Sequence, residues 1–469
     1  MENQEIIANI KGLTSDSRMV KEGYLFAALP GTRFDGRHFM DDAMRNGATH
    51  ILALPGTKFP GGVTGITDAR PRKRFAQLVA GFYQLQPKHV VAITGTNGKT
   101  STADFILQIW QMVGLKSASL GTLGLIGNMM HAEGLMTTLD PVRLHGMLAD
   151  LKSVGVDHLA MEASSHGLDQ SRLDGVAVSV AAYTNLSQDH LDYHGDIDSY
   201  FMAKTRLFNE LLPAGGTAVI NIDDEYGLRL SQNIAQPQIT YGTNAAASLR
   251  LITQEPHADG QDLHVNFDGQ DYHIHLSLMG LFQAYNVLCA AACCMALGDR
   301  AEDIFPALEK LHGVRGRLQK IAVHDDGAAA YIDYAHTPDA LAKVLSALQP
   351  HVRGRLICVF GAGGDRDKGK RPQMGRVVAA HADYAIVTDD NPRSEAPASI
   401  RADILSAFPD AENIGDRRLA IQTAVSYLKA GDVLLVAGKG HEQGQIIGDQ
   451  IFPFDDSTET CHAMEARKK

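Results

Sequence analysis

The stretch HVVAITGTNGKT, residues 89 to 100, decides the fold. Its first half is an apolar run that reads as a buried parallel strand. The run enters a glycine turn, and the residues beyond it, STADFILQIWQMVG, have helical periodicity. Strand, glycine loop and helix in that order gather backbone N–H groups and a helix N-terminus around phosphate oxygens. Gly95, Thr96, Asn97, Gly98, Lys99, Thr100 and Ser101 are therefore candidate ATP-binding residues. Lys99 would reach the β- and γ-phosphates, and the Thr100 hydroxyl would ligate Mg²⁺. Position 93, where the usual motif has its first glycine, is isoleucine. The bland alternative is a plain glycine turn carrying a surface lysine.

Working outward, the runs DHLAMEA, VSVAAYTNL and TAVINID alternate with helix-length segments, the pattern of a parallel sheet with helices on both faces. Residues 243 to 275 are more polar and alternate in character, as an antiparallel edge does. Residues 280 to 297 read as an alanine-rich helix. The strand–helix alternation restarts near residue 315, with strand candidates at 328–335, 355–362, 384–390 and 432–438. On the N-terminal side, short runs such as YLFAAL and HILAL are punctuated by Gly and Pro. The expectation is an α/β protein of three domains, 1–88, 89–314 and 315–469. The middle one is a P-loop-type ATPase domain with a parallel sheet, and the last is Rossmann-like.

Composition narrows the function classes. A chain of 469 residues exceeds one ordinary core, and 45% hydrophobic with 21% charged content suits a soluble globular protein. The net charge of −11 argues against general nucleic-acid binding, which wants a basic face. Anionic small molecules stay open, because distant charge is screened. The start, MENQEIIANIKGLTSDSR, has acids where a signal peptide needs an apolar core, and no apolar run approaches the roughly 18 residues of a membrane span. Five sparse cysteines, three of them in one alanine-rich segment, suit reduced core thiols. A cytoplasmic location without membrane insertion is expected.

Three further stretches follow strands, where ligands bind in such sheets. In MEASSH, Glu162 ends a strand and suits Mg²⁺, which takes oxygen ligands; in NLSQDHLDYH, His190 offers a nitrogen. Either alone is an ordinary polar strand end, but two flanking a phosphate loop point to a metal site. Lys204, in the helical stretch DIDSYFMAKTRLF, reads from the residues alone as a surface lysine. Farther on, TDDNPRSEAP (388–397) ends a buried strand with two acids, a rigid Asn-Pro step and Arg393. On those residues it is equally a solvated turn.

Taken together, GTNGKT, MEASSH, NLSQDHLDYHGD, the Lys204 helix, GLFQAYN, RGRLQ, DYAHTPDAL and GKGHE resemble, in order, the Mur ligases, the ATP-dependent amide-bond ligases of peptidoglycan precursor synthesis. The resemblance spans about residues 15 to 445 and implies a uridine diphosphate-holding N-terminal domain, a central ATPase and a closing C-terminal domain. It implies that Lys204 reacts with CO₂ to form a carbamate, N6-carboxylysine, giving Mg²⁺ an anionic oxygen where an ammonium would be repelled. Lys99, Glu162, His190 and Lys204 become the catalytic set, and Thr100, Glu162, His190 and carbamylated Lys204 the metal set. Asn286 would contact the adenine and Asp333 the ribose, with Arg317 and His336 beside the nucleotide. Ser17 matches a uridine-site serine. Thr137, Thr138, Ser164, Gln170 and Arg172 match residues that hold the muramoyl peptide.

The DNPR run resembles the diaminopimelate-adding members of the family. The implied substrates are ATP, UDP-N-acetylmuramoyl-L-alanyl-D-glutamate and meso-diaminopimelate, with a monomeric enzyme expected. Diaminopimelate differs from L-lysine by a carboxylate at its distal end, and Arg393 offers that group a bidentate fork. Asp390 and Glu442 would hold the distal ammonium and Arg366 would make a second contact, with Asn391, Pro392 and Gly438 lining the site. A fork left without its carboxylate is an uncompensated desolvated cation, costing roughly 3–5 kcal/mol. A folylpolyglutamate synthase would share the phosphate loop and the modified lysine, but not DNPR or the N-terminal DSR. Position 283 is Gln where the family often has Asn, and LPGTRFDG lacks a histidine-bearing loop that some members use near uridine.

Overall fold

The computed structural model describes residues 2–31, 34–127, 130–132 and 136–467, so Thr32 and Arg33 of LPGTRFDG lie outside the described residues. It divides into two compact units, Met1–Arg250 with Asn286–Ile304, and Leu251–Tyr285 with Phe305–Lys469.

In the first unit, a four-stranded parallel sheet runs Gly12–Thr14, Tyr24–Ala27, Ala48–Ala53 and Thr64–Thr67 in chain order. The helix Pro71–Tyr83 has its proline in the first turn, where a missing N–H costs nothing, and buries Phe75, Leu78 and Val79. The larger sheet of this unit has the strand His89–Thr94 at its centre. That strand pairs in parallel with His158–Glu162 on one side and Val180–Tyr183 on the other, with Ile93 opposite Glu162 and Thr94 opposite Tyr183. Thr217–Asn221 and Gln238–Gly242 extend the sheet beyond Val180–Tyr183, and Ser117–Gly121 lies beyond His158–Glu162. This order sends three consecutive strand ends, and the loops that follow them, to one edge. It is the reason that the phosphate loop, Glu162 and the segment leading to His190 are neighbours.

The second unit carries a hairpin, Gln261–Phe267 with Gln270–Leu276, antiparallel as the alternating sequence led one to expect. Its main sheet runs Gln319–Val323, Ala329–Asp333, Val433–Ala437, Leu356–Phe360, Tyr384–Val387 and Glu412–Asn413, parallel throughout except for the first pair. The four strand candidates read from the sequence are the four central strands. Their side chains sort by parity into two cores. Tyr331, Cys358, Phe360 and Leu435 pack on one face, while Ala330, Ile357, Val359 and Leu434 pack on the other. Both faces are covered, which is why these strands read as unbroken apolar runs. Burying each such aliphatic side chain contributes about 1.5–3 kcal/mol. Four of the five cysteines are buried and all five are free thiols.

Candidate functional site

The loop between His89–Thr94 and the helix Lys99–Met112 is held open by two glycines in left-handed backbone, Gly95 (φ +146°) and Gly98 (φ +86°). A Cβ on Gly95 would overlap the Thr184 hydroxyl, and one on Gly98 would overlap Asn286 Oδ1, so only glycine fits at either position. The loop leans on the neighbouring strand end. Thr96 N–H donates to the Asn185 carbonyl (2.8 Å), Asn97 N–H to Asn185 Oδ1 (3.1 Å), and the Thr184 hydroxyl to the Asn97 carbonyl (2.6 Å). Thr100 and Ser101 are buried in the first helical turn.

Two lysines converge beneath this loop. Lys99 Nζ donates to the carbonyls of Gly95 (2.9 Å) and Thr96 (2.8 Å), and Lys204 Nζ donates to the same Gly95 carbonyl (2.9 Å). Lys204 is therefore no surface lysine. It is 1% exposed on the helix Ile197–Arg206, with its ammonium 4.2 Å from the Tyr200 ring centroid. Burial, and then the charge of Lys99, push its pKa well below the usual lysine range. Helical periodicity alone does not separate a buried lysine from an exposed one, which is why the residue pattern by itself points to the surface.

Glu162, 2% exposed, accepts the Thr122 N–H at Oε1 (2.7 Å) and the Thr122 hydroxyl at Oε2 (3.2 Å). The Thr122 hydroxyl is 3.0 Å from that of Thr137. From there a chain of bonds joins the residues expected to hold a peptide. Thr138 Oγ1 donates to the Glu162 carbonyl (3.1 Å) and accepts from Ser164 N–H and Oγ (3.0 Å each). Arg172 donates to the Thr138 carbonyl (2.7 Å) and twice to Gln170 Oε1 (2.7 and 3.2 Å). Gln170 Nε2 donates to the Tyr193 hydroxyl (3.1 Å), which donates to Asp169 (2.7 Å). His190, in left-handed backbone (φ +53°) and about half exposed, sets its ring 4.9 Å from that of His166. Thr122, His166 and Tyr193 went unassigned in the sequence. His166 and Tyr193 lie inside motifs already quoted, whereas Thr122 follows a strand that no motif marks. Ser17 stands apart from these networks; its carbonyl accepts from Asn46 Nδ2 (2.9 Å).

In the second unit, Asp333 ends a strand and accepts backbone N–H groups from Leu318 and Ala335 (2.7 Å each); burial pushes its pKa up against the pull of Arg317. The Arg317 guanidinium sits 4.9 Å from the Tyr334 ring centroid, and the His336 ring lies 4.7 Å from the same ring. The next strand's Gly438 donates its N–H to the Asp333 carbonyl (3.1 Å). A Cβ on Gly438 (φ +118°) would come 2.6 Å from Asp390 Oδ2, so glycine lets that carboxylate approach the backbone.

The DNPR turn is tightly held. Arg393 has φ +53°, a strained conformation for a side-chain-bearing residue, costing of order 1–3 kcal/mol. Its N–H donates to the Ile446 carbonyl (3.0 Å), its carbonyl accepts from Gly448 (2.8 Å), and its Nη1 donates to the Gly364 carbonyl (2.9 Å). Asn391 Nδ2 donates to Glu442 Oε2 (2.8 Å), and Gly364 packs against the Pro392 carbonyl. Arg366 is exposed in the adjoining loop and donates to its neighbour's carbonyl, that of Asp365 (3.1 Å). Strand ends thus bring Asp390, Asn391, Arg393, Gly438 and Glu442 together, which the sequence order does not reveal.

A parallel sheet whose central strand feeds a lysine-bearing glycine loop, joined in the same chain to a second doubly wound sheet, defines a multidomain α/β protein of the P-loop type. The chain belongs to the Mur ligase family: three of its family models match, the Mur ligase family catalytic domain over residues 9–83, the Mur ligase middle domain over 93–294 and the Mur ligase glutamate ligase domain over 316–440. It is 51% identical to the UDP-N-acetylmuramoyl-L-alanyl-D-glutamate–2,6-diaminopimelate ligase of Caulobacter vibrioides, covering 97% of this chain and 96% of that one. The protein of the same name from Rhizobium meliloti is 47% identical over 97% and 94%. A solved diaminopimelate ligase of that name superposes with a TM-score of 0.74 at 34% identity, over 98% of this chain and 96% of that chain. At 18% identity, the MurF ligase of Thermotoga maritima in complex with ADP shares the fold, with a TM-score of 0.61 over 99% of both chains.

Proposed function

We propose that this chain is an ATP-dependent ligase that joins meso-2,6-diaminopimelate to UDP-N-acetylmuramoyl-L-alanyl-D-glutamate in cytoplasmic peptidoglycan precursor synthesis. The observation that carries this reading is the 51% identity, over nearly both full chains, to a ligase of that name. The Asp390–Arg393–Glu442 cluster supports it from the chemistry. We assign uridine diphosphate to residues 1–88, ATP to 89–314 and the incoming amino acid to 315–469, in a monomeric enzyme. Among the described residues no helix is long and apolar enough to cross a membrane.

In the first step, a carboxylate oxygen of the substrate's D-glutamate attacks the γ-phosphorus of ATP, and ADP leaves. In the second, the amine attacks the acyl carbon, loses a proton, and phosphate departs. Such transfers ask the protein for positioning and charge neutralisation. Lys99 exchanges its two carbonyl contacts for phosphate oxygens, and the first-turn N–H groups of Lys99–Met112 point at the same anion. Asn286, against Gly98, and Asp333, Arg317 and His336 serve the nucleoside. Thr137, Thr138, Ser164, Gln170 and Arg172 serve the peptide, and Ser17 the uridine. Arg393 reads the distal carboxylate with Arg366, while Asp390 and Glu442 take the distal ammonium.

The donor set suits Mg²⁺. Among the described residues no group of three or more His, Cys, Asp or Glu is placed to hold a metal. The residues assigned to the cation offer the Thr100 hydroxyl and the Glu162 carboxylate as oxygen donors and a His190 ring nitrogen. That fits a cation that keeps waters and phosphate oxygens better than one held in an all-protein cage. When bound, Mg²⁺ neutralises charge on the phosphate oxygens. The ammonium of Lys204 is the misfit, and carbamylation removes it: a neutral amine adds CO₂, releases a proton and becomes an anionic oxygen donor. A buried lysine sharing a carbonyl with Lys99 and depressed in pKa is suited to that reaction. The test is ADP release and amide product by mass spectrometry. Product that requires both the UDP-muramoyl dipeptide and diaminopimelate supports the reading, and turnover of a folate substrate instead contradicts it.

A further inference from the structure

We infer that Lys439 is a positioning residue for amino-acid recognition, acting through Asn391 and Glu442; the inference rests on the diaminopimelate reading above. Lys439 lies in GKGHE, immediately after Gly438, and its side chain is completely buried. A fully buried ammonium is costly unless paired, so its partners define its purpose. It has two: Nζ donates to Asn391 Oδ1 (2.9 Å) and to Glu442 Oε2 (3.1 Å). Both partners belong to the amino-acid site, and they are bonded to each other through Asn391 Nδ2 and Glu442 Oε2 (2.8 Å). The three side chains close a triangle.

That triangle has a chemical consequence. Both of these bonds to Glu442 fall on Oε2, so neither engages Oε1. Oδ1 of Asn391 is fixed twice, by Lys439 and by the Ile446 N–H (2.9 Å). Its amide therefore cannot flip, and Nδ2 stays aimed at Glu442. Ile446 in turn accepts the Arg393 N–H (3.0 Å), so one buried ammonium sets the register of both the acid and the strained turn that presents the arginine. The buried Lys439 also sets an opposite charge against the partly exposed Glu442 carboxylate. Glu442 is thereby positioned to accept from a substrate ammonium, without Lys439 touching the substrate.

The experiment is steady-state kinetics of Lys439→Met and Glu442→Gln, singly and together, in the full-length enzyme. Lys439→Met keeps the volume and removes the donor. The expected result is at least a tenfold rise in the diaminopimelate KM in each single variant, with the KM values for ATP and the UDP-dipeptide within about twofold of the unsubstituted enzyme. The double variant should be no worse than the more impaired single one, since both act through one carboxylate. Equal losses for all three substrates, or fully additive effects, would overturn the inference. If Lys439→Met does not fold, Glu442→Gln and Lys439→Gln are read the same way, and an unchanged diaminopimelate KM in Glu442→Gln overturns it alone. Failure of the unsubstituted enzyme to use diaminopimelate would instead sink the functional reading, so the two failures are distinguishable.

Discussion

Lys99 and Lys204, more than a hundred positions apart, each donate to the carbonyl oxygen of Gly95 at 2.9 Å. Two ammonium groups on one acceptor repel each other, and burial raises the cost for Lys204. The arrangement is relieved once one lysine becomes neutral or anionic. It ties the phosphate loop to the helix Ile197–Arg206 through a single backbone atom.

Replacement of Lys204 by Ala should therefore lower kcat by roughly a hundredfold or more, the scale of losing one charge-positioning group. If a carbamate is what was lost, a short-chain carboxylate added to the assay should restore part of the rate. Full activity in the variant would remove the carbamate from the account.

Arg393→Lys should raise the diaminopimelate KM far more than the ATP KM, because a point charge replaces a planar fork. A loss of about 2–3 kcal/mol in kcat/KM, roughly 30- to 150-fold, is expected from a charged hydrogen-bonded pair. An unaltered amino-acid KM would refute the assignment of the fork.

Gly98→Ala places a methyl group against Asn286 Oδ1 in backbone at φ +86°. The strain alone costs about 1–2 kcal/mol. Isothermal titration should show ATP binding weakened at least tenfold, with the uridine-nucleotide affinity unchanged.

The pH dependence of stability has an identifiable source in His145. It is buried on the helix Pro141–Ser153 with Nε2 unpartnered, and burial lowers its pKa from 6.5 to about 4. The folded state keeps it neutral while the unfolded chain takes up a proton below 6.5. Its contribution is complete above pH 6.5 and is lost as pH falls toward 4, amounting to about 3 kcal/mol at most. Denaturant melts between pH 7 and 4 should show this slope, and His145→Gln should flatten it by up to one proton.

Much of this molecule was legible in its residues, for physical reasons that differ from element to element. The strand His89–Thr94 and its loop declared themselves because buried parallel strands are unbroken apolar runs and phosphate loops need glycine. The four central strands of the second unit were visible for the same reason. Their spatial order was not: Val433–Ala437 inserts between Ala329–Asp333 and Leu356–Phe360, a non-local pairing that no local pattern encodes. The short edge pair Glu412–Asn413 and the hairpin Gly444–Ile447 with Gln450–Pro453 carry too little apolar periodicity to be read. Within the sites, the glycine loop was found by its chemistry, whereas the burial of Lys204 and the contact of Thr122 with Glu162 depend on tertiary packing. The DNPR turn on its own residues is equally a solvated turn; the family resemblance points to a ligand reader, and the contact of Asn391 with Glu442, about fifty residues on, is tertiary and carries no local signal.

The most direct measurement is the ratio of kcat/KM for meso-diaminopimelate to that for L-lysine, read as ADP release with the UDP-muramoyl dipeptide and ATP saturating. A fork and an ammonium site built for the distal end of diaminopimelate predict a ratio of at least about a hundred, the equivalent of roughly 3 kcal/mol. A ratio near one, or a preference for L-lysine, would contradict the account.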